Sequence, residues 1–367
     1  MNKKRALIYG LALAVLAGLV YMQFREWRTF DWGKFAEHTR EVSWPHVIHG
    51  ILYIYLGYVL RAYRWKVFLR PVRPEVTTLE LVSPTVVGFT GLALLGRPGE
   101  LIRPYLIARR TSLTFSSQLG VWAVERIFDL AAFTVLMVSG IFLPTKLRAF
   151  AASRPTYYHW LHVSGYSLSA LVVGLFLVTL VVSYRGPSIA DWVEKRFAHL
   201  AKGLGHRIAQ RVREFAEGLH TIHGFWALVQ ASAASLLMWW LIALSYKEVT
   251  HAYGAPMQAM SVTKVLLLMG SSMVGSMLQL PGVGGGAQLA TIEVLDKVFA
   301  VPRELAVSCG ILLWLVSFVA IVPIGLVLAH HERLSLRKVA EESEKAEEEA
   351  VIPSVSSSGE PQAPARG

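Results

Sequence analysis

Arg97, Glu100 and Arg103 recur at every third position within LLGRPGELIRPYLIARR, residues 94–110, a run otherwise rich in apolar side chains. A short distance on, WAVERIFDL sets Glu125 and Asp129 four residues apart with Arg126 beside them. Guanidinium groups bind carboxylates and phosphates alike through paired N–H donors. Acids spaced i, i+4 share one face of a helix. Two acids and several arginines within reach of each other can neutralise one another, or they can form a polar site with positive charge to spare. The first outcome is a packing device, with Arg97 or Arg103 pairing with Glu125 or Asp129 and pinning one element to its neighbour. The second is a wet cavity in which a remaining arginine attracts a lipid phosphate. This much charge is costly in apolar surroundings unless something receives it, so for the group as a whole a cavity is the better reading.

The elements that must position these residues are membrane helices. The chain is 54% hydrophobic with a mean hydropathy of +0.45, and it holds several apolar runs near or above the ~18 residues that cross a bilayer. The fold class expected is an all-α polytopic membrane protein, and a soluble enzyme is excluded. Crossings are expected at 6–22, 46–67, 116–143, 162–184, 224–246 and 305–329, with the Trp-rich, charged segment 23–45 in the headgroup region. The first run lacks a cleavage signal and is read as an uncleaved helix.

Two further apolar stretches, 79–110 and 262–300, are interrupted by GLALLGRPGE and LQLPGVGGGAQ. Reading each as one straight span would place the basic residues of 61–73 and of 97–110 on opposite faces. Reading each as a re-entrant helical hairpin gives six crossings with both termini cytoplasmic, and the basic residues then gather on the cytoplasmic side. The two hairpins enter from opposite faces, the arrangement of an inverted repeat with a midplane site, although no residue-level repeat accompanies it. Non-helical backbone at membrane depth must be packed in protein or line a wet cavity. The tip at Gly96, Pro98 and Gly99 therefore places the arginines at such a cavity.

Other signals carry less. The lone Cys309 excludes a disulfide framework or a cysteine metal site within the chain. The net charge of +11 reads as membrane topology rather than nucleic-acid binding, and the basic, amphipathic 185–223 segment as one lying on the inner leaflet. His46/His49, His159/His162 and His220/His223 stand at metal-compatible spacing without acid or cysteine partners nearby in sequence, so no metal is expected. GVGGG lacks the strand before it and the Lys-Ser/Thr after it that a phosphate loop needs. No cofactor is expected. Residues 336–367, with EESEKAEEEA and a Pro/Ser-rich end, read as a disordered cytoplasmic tail following a membrane domain of residues 1–335.

GRPGELIRPYLIARR, ERIFDL and LPGVGGGAQLATIEVL together resemble the flippase-like transmembrane region of lysylphosphatidylglycerol synthases and its stand-alone relatives. RAYRW at 61–65 is similar to that family's basic-plus-Trp signature. The resemblance covers about residues 1–335 and implies lipid translocation. It carries a lipid-binding role onto Arg61, Arg64, Arg97, Gly99, Glu100, Arg103, Glu125, Arg126, Asp129, Pro281 and Gly282, together with Gln288. Gln288 stands where the family often has Glu, and this puts a cationic headgroup in doubt. Residues 336–367 are read as too short for the synthases' aminoacyl-transfer domain, so an aminoacyl-tRNA-dependent activity is not expected.

The function expected is therefore a non-enzymatic, flippase-like protein of the inner or plasma membrane, moving a phospholipid, glycolipid or isoprenoid-linked lipid. The alternatives are a membrane-embedded glycosyltransferase-like enzyme or a structural partner of lipid-synthesis enzymes. Against the enzyme stands the scarcity of Asp, at positions 31, 129, 191 and 296 alone, with no Asp-x-Asp. No nucleotide-binding motif is present, so transport would be passive, ion-coupled through Glu125 or Asp129, or drawn by consumption of product.

Overall fold

The computed structural model describes residues 30–142, scattered helical positions between 163 and 174, and residues 225–276, 279–280, 284–332, 334 and 336–351. The expected crossing at 6–22, nearly all of that at 162–184, the 185–223 segment, Pro281, Gly282 and the side chain of Arg97 lie outside the described residues.

The described chain is helical apart from one two-residue antiparallel pairing, Gln279–Leu280 with Gly284–Gly285. A short helix, α1 (Trp32–Arg40), is capped by the Asp31 carboxylate accepting from Lys34 N–H. It leads into α2 (Trp44–Leu69), which has Pro45 in its first turn, where the absent N–H costs nothing. Then follow α3 (Thr78–Leu95), α4 (Ile102–Thr111) and α5 (Phe115–Phe142). The second half contains α6 (Phe225–His251), α7 (Val262–Gly275), α8 (Gly286–Glu293), α9 (Arg303–Trp314), α10 (Val322–His331) and α11 (Leu336–Val351).

Among the described residues three helices are long and apolar enough to cross a membrane: Thr78–Leu95, Phe225–His251 and Arg303–His331, the last combining α9 and α10. Helices α2 and α5 are 26 and 28 residues long, more than the ~20 a span needs, but they carry the charged residues discussed below. Leu79, Phe225, Trp226 and Val327 are exposed, as side chains facing lipid must be.

Helices α2 and α6 run antiparallel along their length. Gly50 lies against Ser245 and Val249, and Gly57 lies against Met238. The first broken stretch folds as a helical hairpin. Gly96 ends α3 with φ 74° and ψ −146°, a conformation that a side chain would strain. A tight turn of 3₁₀ helix, Arg97–Leu101, follows, and α4 returns against α3. Gly88 abuts Arg103, while Gly91 abuts Ile102 and Gly99, so tightly that a Cβ at Gly88 or Gly99 would collide with backbone. Small residues permit this approach, as in other membrane helix pairs. The second broken stretch also doubles back, with Gly275 of α7 packed on Gly286 and Ala290 of α8.

Helices α8 and α9 each run on into one π-helical turn, Val294–Val298 and Leu315–Val319. The Ala320 carbonyl beyond the second turn accepts a hydrogen bond from Tyr55 Oη at 2.6 Å.

The tail departs from expectation in its first half. Residues 336–351, read as the start of a disordered segment, form α11, whose Val339, Ala340 and Ser343 are buried. Glu342 accepts a hydrogen bond from Tyr105 Oη at 2.8 Å, tying α11 to α4. The acidic run reads as solvated because its buried positions are small and sparse, too weak a pattern to signal packing.

The tightness of the first hairpin is directly testable. Gly99→Ala should lower thermal stability by roughly 1–3 kcal/mol through overpacking. Gly57→Ala, whose new methyl group would meet Met238 at an ordinary 3.8 Å, should be close to neutral. Equal melting temperatures for the two variants would contradict the packing described.

Candidate functional site

Arg61 and Arg64 occupy one face of α2, and Glu125 and Asp129 one face of α5. The two faces meet, and Arg103 joins them from the second residue of α4. Arg64 is the centre. Its Nη1 donates to Asp129 Oδ1 at 2.7 Å and to Ser235 Oγ of α6 at 2.6 Å, and its Nη2 donates to Glu125 Oε1 at 2.6 Å. One guanidinium thus ties three helices together. Arg103 forms a two-pronged pair with Glu125, Nη1 to Oε1 at 2.9 Å and Nη2 to Oε2. The Arg103 guanidinium also stacks over the Trp65 ring at 4.4 Å, and Trp65 is held in turn by Nε1 donating to Gln118 at 3.0 Å. Arg64, Arg103, Glu125 and Asp129 are all at most 3% exposed.

Two further arginines are less committed. Arg61 Nη1 stands 3.5 Å from Asp129 Oδ2 without making a hydrogen bond there, and its guanidinium lies over Phe89 at 4.7 Å. Arg126 Nη2 lies 3.3 Å from Asp129 Oδ2 and 3.5 Å from Glu125 Oε2, while its Nε is buried without a partner. Its side chain is 38% exposed. The cluster therefore sets the guanidinium groups of Arg61, Arg64, Arg103 and Arg126 against two carboxylates. Glu100 lines the same narrow recess as Arg103 and Arg126 and tempers that excess.

Arg61, Arg126 and Asp129 face a cavity of about 860 Å³. Both hairpins reach it: Pro98, Glu100 and Leu101 from the first, and Ser276, Ala287 and Gln288 from the second. The π-helical turn at 315–319 brings Ser317 and Phe318 to the same wall; turns of this kind often mark functional sites. Glu344 of α11 also lines it.

The sequence-based expectations meet this geometry unevenly. Glu125 and Asp129 do share a face and do receive arginines. Arg103 pairs with Glu125, as expected of one of Arg97 and Arg103, and the cavity-facing guanidinium groups among the described residues come from Arg61 and Arg126. Arg64, expected among the lipid-binding residues, is 1% exposed and acts as a clamp. Gly99 serves hairpin closure. Glu100 reaches the cavity because 97–101 is a 3₁₀ turn, not the start of the helix. Gln288 has a local role: its Oε1 accepts from Gly285 N–H at 3.1 Å, capping α8.

The histidines at 46 and 49, expected to lack an acid partner, have one that is distant in sequence. Glu248 Oε2 sits 2.6 Å from His46 Nδ1 and 3.8 Å from His49 Nδ1. Among the described residues no group of three or more His, Cys, Asp or Glu is placed to hold a metal ion.

A family model described as the lysylphosphatidylglycerol synthase TM region matches residues 7–325. The chain belongs to that family. It is a multi-pass membrane protein, and the match takes in every helix around the cavity except α11. No curated protein and no solved structure matches the chain.

The pairing of Arg103 with Glu125 carries a stability prediction. Arg103→Gln removes the two-pronged partner of a buried carboxylate that keeps Arg64 and should cost about 1.5–3 kcal/mol, read as a lower melting temperature and loss of monodisperse protein in detergent. Adding Glu125→Gln should lower stability further, because Arg64 and Arg126 then lose the same carboxylate. A single variant as stable as the parent would contradict a structural role for the pair.

Proposed function

We propose that the chain is a flippase-like transporter rather than an enzyme, moving a phospholipid, glycolipid or isoprenoid-linked lipid across the membrane. The observation that carries this reading is the convergence of both hairpins on one cavity whose wall presents two incompletely satisfied guanidinium groups. A headgroup phosphate entering the cavity would be drawn to Arg61 and Arg126, while the acyl or prenyl chains remain in lipid. The buried pairs around Arg64 and Arg103 would hold the arginine-bearing helices in register during passage.

In this reading 79–110 and 262–300 are re-entrant hairpins that enter from opposite faces, the chain crosses six times, and both termini are cytoplasmic. Residues 1–335 form the transport domain. The membrane is the inner or plasma membrane, and the partners are the lipid itself and enzymes of lipid synthesis. Buried carboxylates that already receive several arginines suit a structural anchor better than a cycling proton carrier. We therefore favour passive exchange drawn by consumption of lipid on one face.

Arg126→Gln tests the site without breaking the scaffold, because Glu125 keeps Arg64 and Arg103, and Asp129 keeps Arg64. The variant should fold as the parent does, yet exchange labelled lipid across reconstituted liposomes about tenfold more slowly, the cost of one charge-assisted hydrogen bond. Exchange at the parent rate would remove Arg126 from the lipid path.

A further inference from the structure

The cavity has two chemically different walls. Among the described residues every charged one that touches it, Arg61, Glu100, Arg126, Asp129 and Glu344, comes from the helices before residue 143 or from α11. The wall built by α6, the second hairpin and the π-helical turn at 315–319 is uncharged among the described residues. It offers aromatic faces and neutral hydrogen-bonding groups: Trp239, Tyr246, Ser272, Gln288, Trp314 and Ser317. Tyr246 Oη and Ser272 Oγ are joined at 3.1 Å, and Gln288 spends its oxygen on Gly285, which leaves its amide N–H groups to donate. Trp239 Nε1 is buried and has no acceptor in the protein. A buried N–H without a partner is costly, and tryptophan in a core ordinarily finds one.

We infer that the cavity takes a lipid phosphodiester whose headgroup is an uncharged polyhydroxyl group, a sugar or polyol, in preference to an aminoacyl or ethanolamine cation. This rests on the transport reading and adds the headgroup class. The phosphate is met by Arg61 and Arg126. The hydroxyls beyond it reach the neutral wall, where one supplies the acceptor that Trp239 Nε1 lacks and the ring faces cover the apolar side of the sugar or polyol. An ammonium group directed to that wall would find no carboxylate. Glu100 lies in the recess shared with Arg103 and Arg126, Asp129 lies among arginines, and Glu344 is an exposed residue of α11.

The test is the binding of short-chain lipids to the full chain in detergent, read as thermal stabilisation, followed by liposome exchange. The probes are dioctanoyl phosphatidylinositol, a citronellyl phosphoryl-mannose, dioctanoyl phosphatidate, dioctanoyl phosphatidylethanolamine and short-chain lysylphosphatidylglycerol. The first two separate a glycerolipid source from an isoprenoid one, and at least one should bind about tenfold more tightly than the two cationic-headgroup probes. Trp239→Phe keeps the ring and removes the N–H. It should weaken that preferred probe about fivefold and leave phosphatidate unchanged. Equal or tighter binding of the lysyl or ethanolamine lipid, no binding by any probe, or an unchanged Trp239→Phe profile would overturn the headgroup assignment. Selective binding without exchange would uphold the assignment and overturn transport. Exchange that favours a cationic headgroup would uphold transport and overturn the assignment.

Discussion

The fold around the cavity depends on Arg64, a guanidinium group 1% exposed that joins Glu125, Asp129 and Ser235. Its Nε has no partner, so even this residue is not fully satisfied. A buried ion pair of this kind adds little net stability compared with well-packed apolar residues, yet loss of one partner is severe. Such a cluster specifies an arrangement: α2, α5 and α6 cannot slide past one another without separating charges in a medium that will not solvate them. Arg103 extends the constraint to the first hairpin, and the glycines at 88, 91 and 99 let that hairpin close tightly enough to deliver it.

This anchoring has a consequence for the site. Because Glu125 and Asp129 are occupied from the side of Arg64 and Arg103, the remaining guanidinium groups of Arg61 and Arg126 face the cavity with weaker attachments. The same two carboxylates therefore hold the scaffold and orient the groups offered to a ligand. Among the described residues α6, the second hairpin and the 315–319 turn contribute no charge to the wall and supply hydroxyl, amide, indole and ring surfaces. The helices before residue 143, with α11, thus set the electrostatics of the cavity, and the helices between them set its shape and neutral hydrogen bonding.

Much of this was legible before the structure. Charges out of place in apolar sequence marked the cluster, the i, i+4 spacing of Glu125 and Asp129 marked the face, and Gly96 with Pro98 marked the turn. The assignment of partners was not legible. Arg64 lies in RAYRW near a helix end, where a basic residue ordinarily snorkels to the interface, and nothing local distinguishes it from Arg61. The period of three at 97, 100 and 103 fits both an α-helix and a 3₁₀ turn, and the choice decides which side chains reach the cavity. Contacts between His46 and Glu248, or between Tyr105 and Glu342, join residues far apart in sequence and leave no periodic trace. Nothing in the sequence singles out Trp239 within its apolar helix, since an unmatched N–H is visible only once its neighbours are placed.

The central claim is that both hairpins border one water-filled site for a lipid headgroup. Cysteines introduced singly at Leu101 of the first hairpin and at Ser272 of the second test it most directly, in a chain whose own Cys309 is buried. Both should react with a charged, membrane-impermeant thiol reagent, and one short-chain anionic phospholipid should protect both over the same concentration range. Protection of one position while the other reacts unhindered, or failure of both to react, would contradict a shared cavity.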